Sequence, residues 1–266
     1  MSEPTTCAAR CPHDDAYCDN CDRLVGLPGV HVIGVDRRPA GLVVEVESPP
    51  AMMGCPTCGV VARSHGRRTV TLVDIPCFGA PTRVRWRKRT WTCPEPSCPV
   101  GVFTEQDTGI ANPRAMLTTR ACRWATEQVR REHASIAGLA RQLATTWRTV
   151  WTSIEPILAR AAADESRFTG VTTLGVDEHL WHHVSPRKRG PKELTGMVDL
   201  TRDKDGRVHA RLLDLVPGRS GTVYKTWLDQ RGKGFKAGVE VATLDPFRVK
   251  QSAISYTLAD DTALLR

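Results

Sequence analysis

The chain has 266 residues, 41% hydrophobic and 25% charged, which is enough for one to three soluble domains with cores of their own. Its 37 lysines and arginines outnumber its 29 aspartates and glutamates, and this net charge of +8 favours a polyanionic partner such as nucleic acid. No apolar run approaches the roughly 20 residues of a membrane span, and the first residues lack a secretory layout, so ten cysteines indicate metal binding rather than disulfides.

Composition predicts a multidomain α+β protein with four segments. They are a cysteine-containing segment with short strands at 1–50, a zinc ribbon at 51–106, a helical segment at 113–165 and an α/β segment at 170–266. The first segment holds four cysteines whose spacing fits either a further metal site or an unstructured tail: Cys7, Cys11, Cys18 and Cys21.

Two cysteine pairs in the second segment predict a structural zinc site. Cys55 and Cys58 flank a tight turn that Gly59 relaxes, and Cys93 and Cys98 follow after a strand-rich interval. Four thiolates delivered by two turns suit tetrahedral Zn²⁺, and a small β unit takes much of its stability from such a metal. A set of buried free thiols is the alternative.

A basic strand lies between the two cysteine pairs. Strand alternation places four of its residues on one face: Arg83, Arg85, Arg87 and Arg89. We predict that this face contacts DNA phosphates, because five cations within seven residues repel one another unless an anion is present. A solvated strand face is the alternative.

The helical segment has the pattern of a helix-turn-helix. Ser135 can cap a first helix, and Thr146 can cap a second one after a brief turn. The second helix of such a motif enters the DNA major groove with its N-terminal residues leading. We therefore predict DNA contacts by Arg148, Thr149 and Thr152. An ordinary helical hairpin shares the same pattern.

The α/β segment carries two aspartates that we interpret as catalytic. Its predicted order is strand, strand, strand, helix, strand, helix, which matches the start of an RNase H-like fold. Asp177 lies in the first strand and Asp245 ends the fourth, and these two strands are neighbours in that topology. Two adjacent carboxylates would hold Mg²⁺ or Mn²⁺ for phosphodiester chemistry. A salt-bridged Asp177 and a helix-capping Asp245 are the alternative.

The order of these motifs resembles the ISL3 group of bacterial insertion-sequence transposases. The resemblance rests on the cysteine pairs, the helix-turn-helix, Leu-Gly-Val-Asp-Glu-His at 174–179 and Leu-Asp-Pro-Phe at 244–247. It implies a DDE transposase of the bacterial cytoplasm, located at the nucleoid, that binds double-stranded terminal inverted repeats. We also expect a homodimer on the DNA. Cleavage and joining of strands with Mg²⁺ or Mn²⁺ are implied too, with Asp177 and Asp245 matching the first two catalytic acids.

One departure from that family shapes the expected activity. The family continues after the second acid with a further strand and a catalytic Glu, and no candidate for this Glu follows Asp245. We therefore expect a C-terminally truncated transposase with an incomplete RNase H-like domain, which binds DNA but does not transpose alone. A DNA-binding repressor of the parent element, without catalysis, is the alternative function.

Overall fold

The computed structural model describes residues 17–180, 190–244 and 263–265. The chain divides into two compact units, Met1–Ala162 and Ala163–Arg266. The N-terminal strands, the ribbon and the helices all belong to the first unit, and the α/β segment forms the second. Among the described residues, no helix is both long and apolar enough to cross a membrane.

The first unit joins a five-stranded sheet to a set of helices. Its elements are α1 (Asp19–Val25), β1 (His31–Arg38), β2 (Gly41–Glu47), β3 (Arg63–Cys77), β4 (Ala80–Thr92), β5 (Val102–Thr104), α2 (Thr119–Arg131), α3 (Ile136–Gln142) and α4 (Trp147–Ala162). The sheet order is β1-β2-β4-β3, with β5 paired to β4. β2 runs parallel to β4, so the N-terminal strands and the ribbon share one sheet.

Strand β4 shows the alternation that its sequence predicts. Val84 and Trp86 are buried on one face, whereas the arginines between and after them are less buried. The Trp86 indole N–H donates to the Ser48 hydroxyl at 3.0 Å, and this hydroxyl donates to Glu105 at 2.7 Å. The buried indole thus keeps a hydrogen-bond partner, as a buried tryptophan requires.

A buried ion pair joins the sheet to α2. Asp74 of β3 is fully buried, and the Arg120 guanidinium donates to both of its carboxylate oxygens. The Thr118 hydroxyl also donates to Asp74 at 2.6 Å, and the same hydroxyl caps α2 by accepting from the Ala121 N–H at 3.1 Å. Arg120 further donates to the Val25 carbonyl at the end of α1. One carboxylate therefore holds three elements together.

The four N-terminal cysteines fall partly within the described residues. Cys7 and Cys11 lie outside them. Cys18 is buried at the start of α1, a helix that the sequence patterns did not predict. Cys21, inside this helix, packs against the hydrophobic cluster of the sheet.

The second unit is a mixed sheet with a helix packed on it. A 3-10 helix at Glu165–Phe168 precedes β6 (Thr173–Leu180), β7 (Glu193–Asp199), β8 (Arg211–Pro217), α5 (Gly221–Gly238), β9 (Val241–Leu244) and β10 (Ala263–Leu265). The strand order is β10-β9-β6-β7-β8. β6, β7 and β8 pair antiparallel, whereas β9 runs parallel to β6 and β10 parallel to β9. The predicted element order up to β9, and the adjacency of the first and fourth strands, are confirmed.

Two features of this unit differ from expectation. We expected no strand after the second acid, but β10 pairs with β9, and three residues are too few to show an alternation in sequence. Glycines such as Gly232 and Gly234 favour a helix end, but Gly232 kinks α5 with φ 80° and ψ 176°, and the helix resumes. The resumed segment packs Phe235 against the core, edge-on to Trp227 with ring centroids 5.6 Å apart.

Candidate functional site

The four cysteines predicted to bind zinc lie together at one end of the long hairpin formed by β3 and β4. All their sulfur atoms fall within 4.8 Å of one another. The Sγ atoms of Cys55 and Cys98 are 3.8 Å apart, and those of Cys58 and Cys93 are 3.6 Å apart. In a regular tetrahedron with Zn–S bonds of about 2.3 Å, the sulfurs are separated by about 3.8 Å. This four-thiolate cage therefore has the dimensions that zinc requires.

Tight turns aim the thiols into the cage. The Gly59 N–H donates to the Cys55 carbonyl at 2.9 Å, and Gly59 takes a φ of 76° that a residue with a Cβ seldom adopts. The second pair is closed by the Cys98 N–H, which donates to the Glu95 carbonyl at 3.1 Å. The turn role predicted for Gly59 is thus confirmed.

The surroundings of the cage shift the pKa values of its thiols in both directions. Hydrogen bonds from the backbone of Cys58 and Thr57 lower the pKa of the Cys55 thiol to about 7. The Glu95 backbone N–H acts in the same direction on Cys93, but burial and the neighbouring thiols outweigh it and raise the pKa of Cys93 to about 12. A divalent ion bound among the four sulfurs would let all of them be thiolates.

The centre of the basic row on β4 faces carboxylates of β2. The parallel register sets Glu45 opposite Arg85 and Glu47 opposite Arg87. The Arg85–Glu45 pair measures 2.5 Å and the Arg87–Glu47 pair 3.4 Å. The anions that the repulsion among these cations demands are thus internal. The Arg85 and Arg87 side chains nevertheless remain 41% and 46% exposed, so contact with an external phosphate stays a prediction.

The two ends of the row have other partners. Arg89 pairs with Glu105 at 2.7 Å, and both side chains are largely buried. Arg83 donates to the carbonyls of Leu143 and Ala144 at 3.0 and 2.6 Å, in the turn between α3 and α4. A helix end leaves such carbonyls without intrahelical donors, so Arg83 completes the end of α3. DNA contact by Arg83 or Arg89 would have to compete with these bonds.

The helix-turn-helix has the caps and the core that its sequence predicts. Ser135 accepts from the Gly138 N–H at 3.1 Å at the start of α3, and Thr146 accepts from the Thr149 N–H at 3.0 Å at the start of α4. Both predicted caps are confirmed. The two helices meet through side chains that are fully buried: Leu139, Leu143, Val150 and Ile154.

The N-terminal part of α4 presents polar side chains on its outer surface. Arg148 and Thr152 are exposed, and the Thr152 hydroxyl donates to the Arg148 carbonyl at 2.8 Å. Thr149 is half-buried, and its hydroxyl shares a 2.8 Å hydrogen bond with that of Thr146. Sequence reasoning overlooked Trp147, which is 52% exposed at the first position of α4. Its signal was an aromatic residue outside the apolar stripe.

The candidate catalytic aspartates are only partly described. Asp177 is exposed on β6, opposite Gly196 of β7, and its carboxylate accepts from the Glu178 N–H at 2.7 Å. The neighbouring strand β9 ends at Leu244, which pairs with Val176. Asp245 itself lies outside the described residues.

Other carboxylates of the second unit have structural partners. Asp214 accepts from the Trp227 indole N–H at 2.8 Å, and Asp199 pairs with Arg211 at 2.8 Å. The hydrogen bonds from Thr201 and the charge of Arg211 hold the pKa of Asp199 below its usual value, although burial opposes them most strongly.

A four-thiolate cage and a capped helix-turn-helix within one unit define a zinc-ribbon and helix-turn-helix module. Residues 52–98 match the family model for the zinc-finger of transposase IS204/IS1001/IS1096/IS1165. Residues 106–155 match the family model for the helix-turn-helix domain of transposase family ISL3. The first unit is therefore similar to the zinc ribbon and the helix-turn-helix of ISL3 transposases, which confirms the predicted resemblance over these two domains.

Two further comparisons add little. The curated proteins contain no match to this chain. Among solved structures, a chain from the crystal structure of a pre-cleavage Mos1 transpososome is similar at 11% identity, with a TM-score of 0.19. That similarity spans 54% of this chain and 58% of the other, so it covers little more than half of either. A TM-score this low does not bear on the fold of either unit.

Proposed function

We propose that this chain is a transposase of the ISL3 type, which binds the terminal inverted repeats of an insertion sequence for Mg²⁺-dependent DNA cleavage and strand transfer. The observation that carries the proposal is the exposed N-terminal part of α4, in a unit whose two domains both match ISL3 models.

Side chains on the outer surface of α4 contact the bases and read the DNA sequence. The Arg148 guanidinium is a fork of donors that suits the two acceptors of guanine in the major groove. Thr149 follows Arg148 directly and Thr152 lies one turn further along the same helix, and both approach neighbouring bases or phosphates. The exposed parts of Arg85 and Arg87 contact the phosphate backbone, which positions the protein without reading sequence.

The cysteine cage serves as a structural zinc site. Its sulfur separations and turn geometry fit Zn²⁺, and all four coordination positions come from protein thiols. The cage ties the segment that holds Cys55 to the segment after β4, so that zinc stabilises the long hairpin on which the basic row lies.

The second unit supplies the catalytic carboxylates. Its strand order, with a parallel strand beside the first strand of an antiparallel meander, supports an RNase H-like domain. Val176 pairs with Leu244, and the next residue in the sequence after each is an aspartate, Asp177 or Asp245. Such a pair would hold Mg²⁺ or Mn²⁺, which when bound activates water or a 3′-hydroxyl for phosphodiester chemistry. Gly196, opposite Asp177, adds no side chain of its own beside that carboxylate.

Binding and catalysis are tested separately. Selection from a pool of random DNA duplexes identifies the bound sequence, and Arg148→Ala is expected to abolish the preference for it. Joining of end-labelled duplexes of that sequence to a target plasmid with Mg²⁺ then reports strand transfer. Joining by the wild-type chain would overturn the expectation that it does not transpose alone. Any such joining should be abolished by Asp177→Asn and kept by Asp205→Asn, which alters an exposed turn carboxylate. Joining that Asp177→Asn leaves unchanged would contradict the catalytic assignment, whereas sequence-specific binding without joining is what the alternative function, a DNA-binding repressor, would show.

A further inference from the structure

A groove of about 540 Å³ runs beside α4 in the first unit. Its walls are the segment 112–119, the outer side of α2 and the middle turns of α4. Leu117 and Ile157 contribute apolar surface, and three exposed arginines lie around it: Arg114, Arg123 and Arg160. The residues that line the groove, all of them within the described part of the chain, include no carboxylate.

The groove continues the surface of α4 that presents Arg148. Thr152, Pro156 and Arg160 all line it, and they follow Arg148 at intervals of four residues, which keeps successive side chains on one side of a helix. The Arg160 Nε–H donates to the Pro156 carbonyl at 3.3 Å, so its side chain is held along this surface. Arg148 and the groove therefore lie on the same side of α4.

The backbone at Arg114 is an independent sign that this side chain has a role. The Ala115 N–H donates to the Asn112 carbonyl at 3.0 Å, which closes a turn with Pro113 and Arg114 at its centre. Arg114 has a φ of 62°, at a turn position that glycine usually fills. Holding a residue with a Cβ in this left-handed region costs on the order of 1 kcal/mol. An exposed arginine kept at that cost points to function in the side chain rather than in the turn.

We propose that this groove binds the phosphodiester backbone of DNA flanking the base pairs that α4 contacts. The inference rests on the proposed function, since it assumes that α4 binds DNA. Three guanidiniums without a nearby carboxylate favour an anion, and the planar donor fork of arginine matches phosphate oxygens. The apolar wall accommodates the sugar carbons between successive phosphates. The groove adds affinity and register but no base preference.

The test measures how DNA affinity depends on salt. Fluorescence anisotropy gives the Kd of the full chain for two labelled duplexes, the selected one and one of mixed sequence, over a range of KCl concentrations. Each phosphate contact contributes about 0.9 to the slope of log K against log salt. A variant that combines Arg114→Gly, Arg123→Ala and Arg160→Ala should lower this slope by about 2.7 on both duplexes. Arg37→Ala removes an exposed arginine on β1 and serves as the control that leaves the slope unchanged.

Arg114→Gly alone separates binding from folding. Glycine relieves the strained φ, so the thermal midpoint should stay the same or rise, while the slope falls by about 0.9. An unchanged slope in the triple variant, with Arg148→Ala still losing sequence preference, would overturn the groove assignment and leave the role of α4 intact. A wild-type chain that does not prefer the selected duplex would instead overturn the proposed function itself.

Discussion

Replacement of Asp74 is the sharpest test of how the helix-turn-helix is held on the sheet. Asp74 is fully buried and accepts hydrogen bonds from Arg120 and Thr118. Asp74→Ala leaves the Arg120 guanidinium without its carboxylate and removes the acceptor of the hydroxyl that caps α2. We expect the first unit to lose stability and the position of α2 against β3 to loosen.

The structure sets the size of this effect. Removing one partner of a buried ion pair costs about 3–5 kcal/mol, because the remaining charge stays in a poorly solvated site. Asp74→Asn should cost less, since its amide oxygen can still accept from Thr118. A double variant, Asp74→Ala with Arg120→Leu, should recover part of the loss because it removes both charges. The Arg38–Asp36 pair, whose Arg38 side chain is 54% exposed, gives a control worth at most about 1 kcal/mol.

Urea unfolding followed by tryptophan fluorescence measures these differences. A loss of about 4 kcal/mol lowers the urea midpoint by about 1.3–2 M for a protein with an m-value of about 2–3 kcal/mol/M. Asp36→Ala should shift the midpoint little. The reasoning would be refuted if Asp74→Ala behaved like Asp36→Ala, or if the double variant lost as much stability as Asp74→Ala and Arg120→Leu added together.

The remaining predictions concern the metal cage and the basic row. Chelation of zinc, or Cys58→Ser, should unfold the ribbon and remove one equivalent of zinc per chain, as measured by atomic absorption. Cys122→Ser is the control that should keep the metal. Zinc retained after Cys58→Ser would contradict the four-thiolate site. Arg83→Ala should lower the free energy of unfolding by about 1–2 kcal/mol by leaving carbonyls at the end of α3 without donors. Arg87→Ala should change the free energy of unfolding by less than about 1 kcal/mol but weaken DNA binding, as measured by fluorescence anisotropy. If Arg87→Ala destabilised the protein more than Arg83→Ala did, and left DNA binding unchanged, the assignment of Arg83 to the fold and of Arg87 to DNA would be refuted.

The parts of the site that the sequence predicted are those built from neighbouring residues. The turn after Cys55 and the caps at Ser135 and Thr146 each depend on residues within four positions, so their patterns are visible in the chain. The adjacency of β6 and β9 was predicted from the match between the element order and an RNase H-like fold, which supplies a topology that periodicity alone does not. Short elements such as α1 and β10 were not predicted, because too few residues carry their pattern.

The partners of the basic row could not be predicted, because they depend on long-range register. Glu45 faces Arg85 only because β2 pairs in parallel with β4, and a shift of one residue would turn its carboxylate to the other side of the sheet. Neither strand alone specifies that pairing. Sequence reasoning therefore recognised the repulsion among the arginines correctly and sought the compensating anion in DNA, whereas the fold supplies one itself.

Internal pairing does not affect every arginine of the row equally. Arg89 is buried together with Glu105. If Arg89 left this pair to bind a phosphate, the Glu105 carboxylate would stay buried without its partner, which costs free energy. The Arg87–Glu47 pair is nearly half exposed at the arginine, and such pairs contribute only about 0–1 kcal/mol. An approaching phosphate can displace that contact at little cost. We therefore propose that the centre of the row combines a structural role with DNA binding, whereas its ends serve the fold.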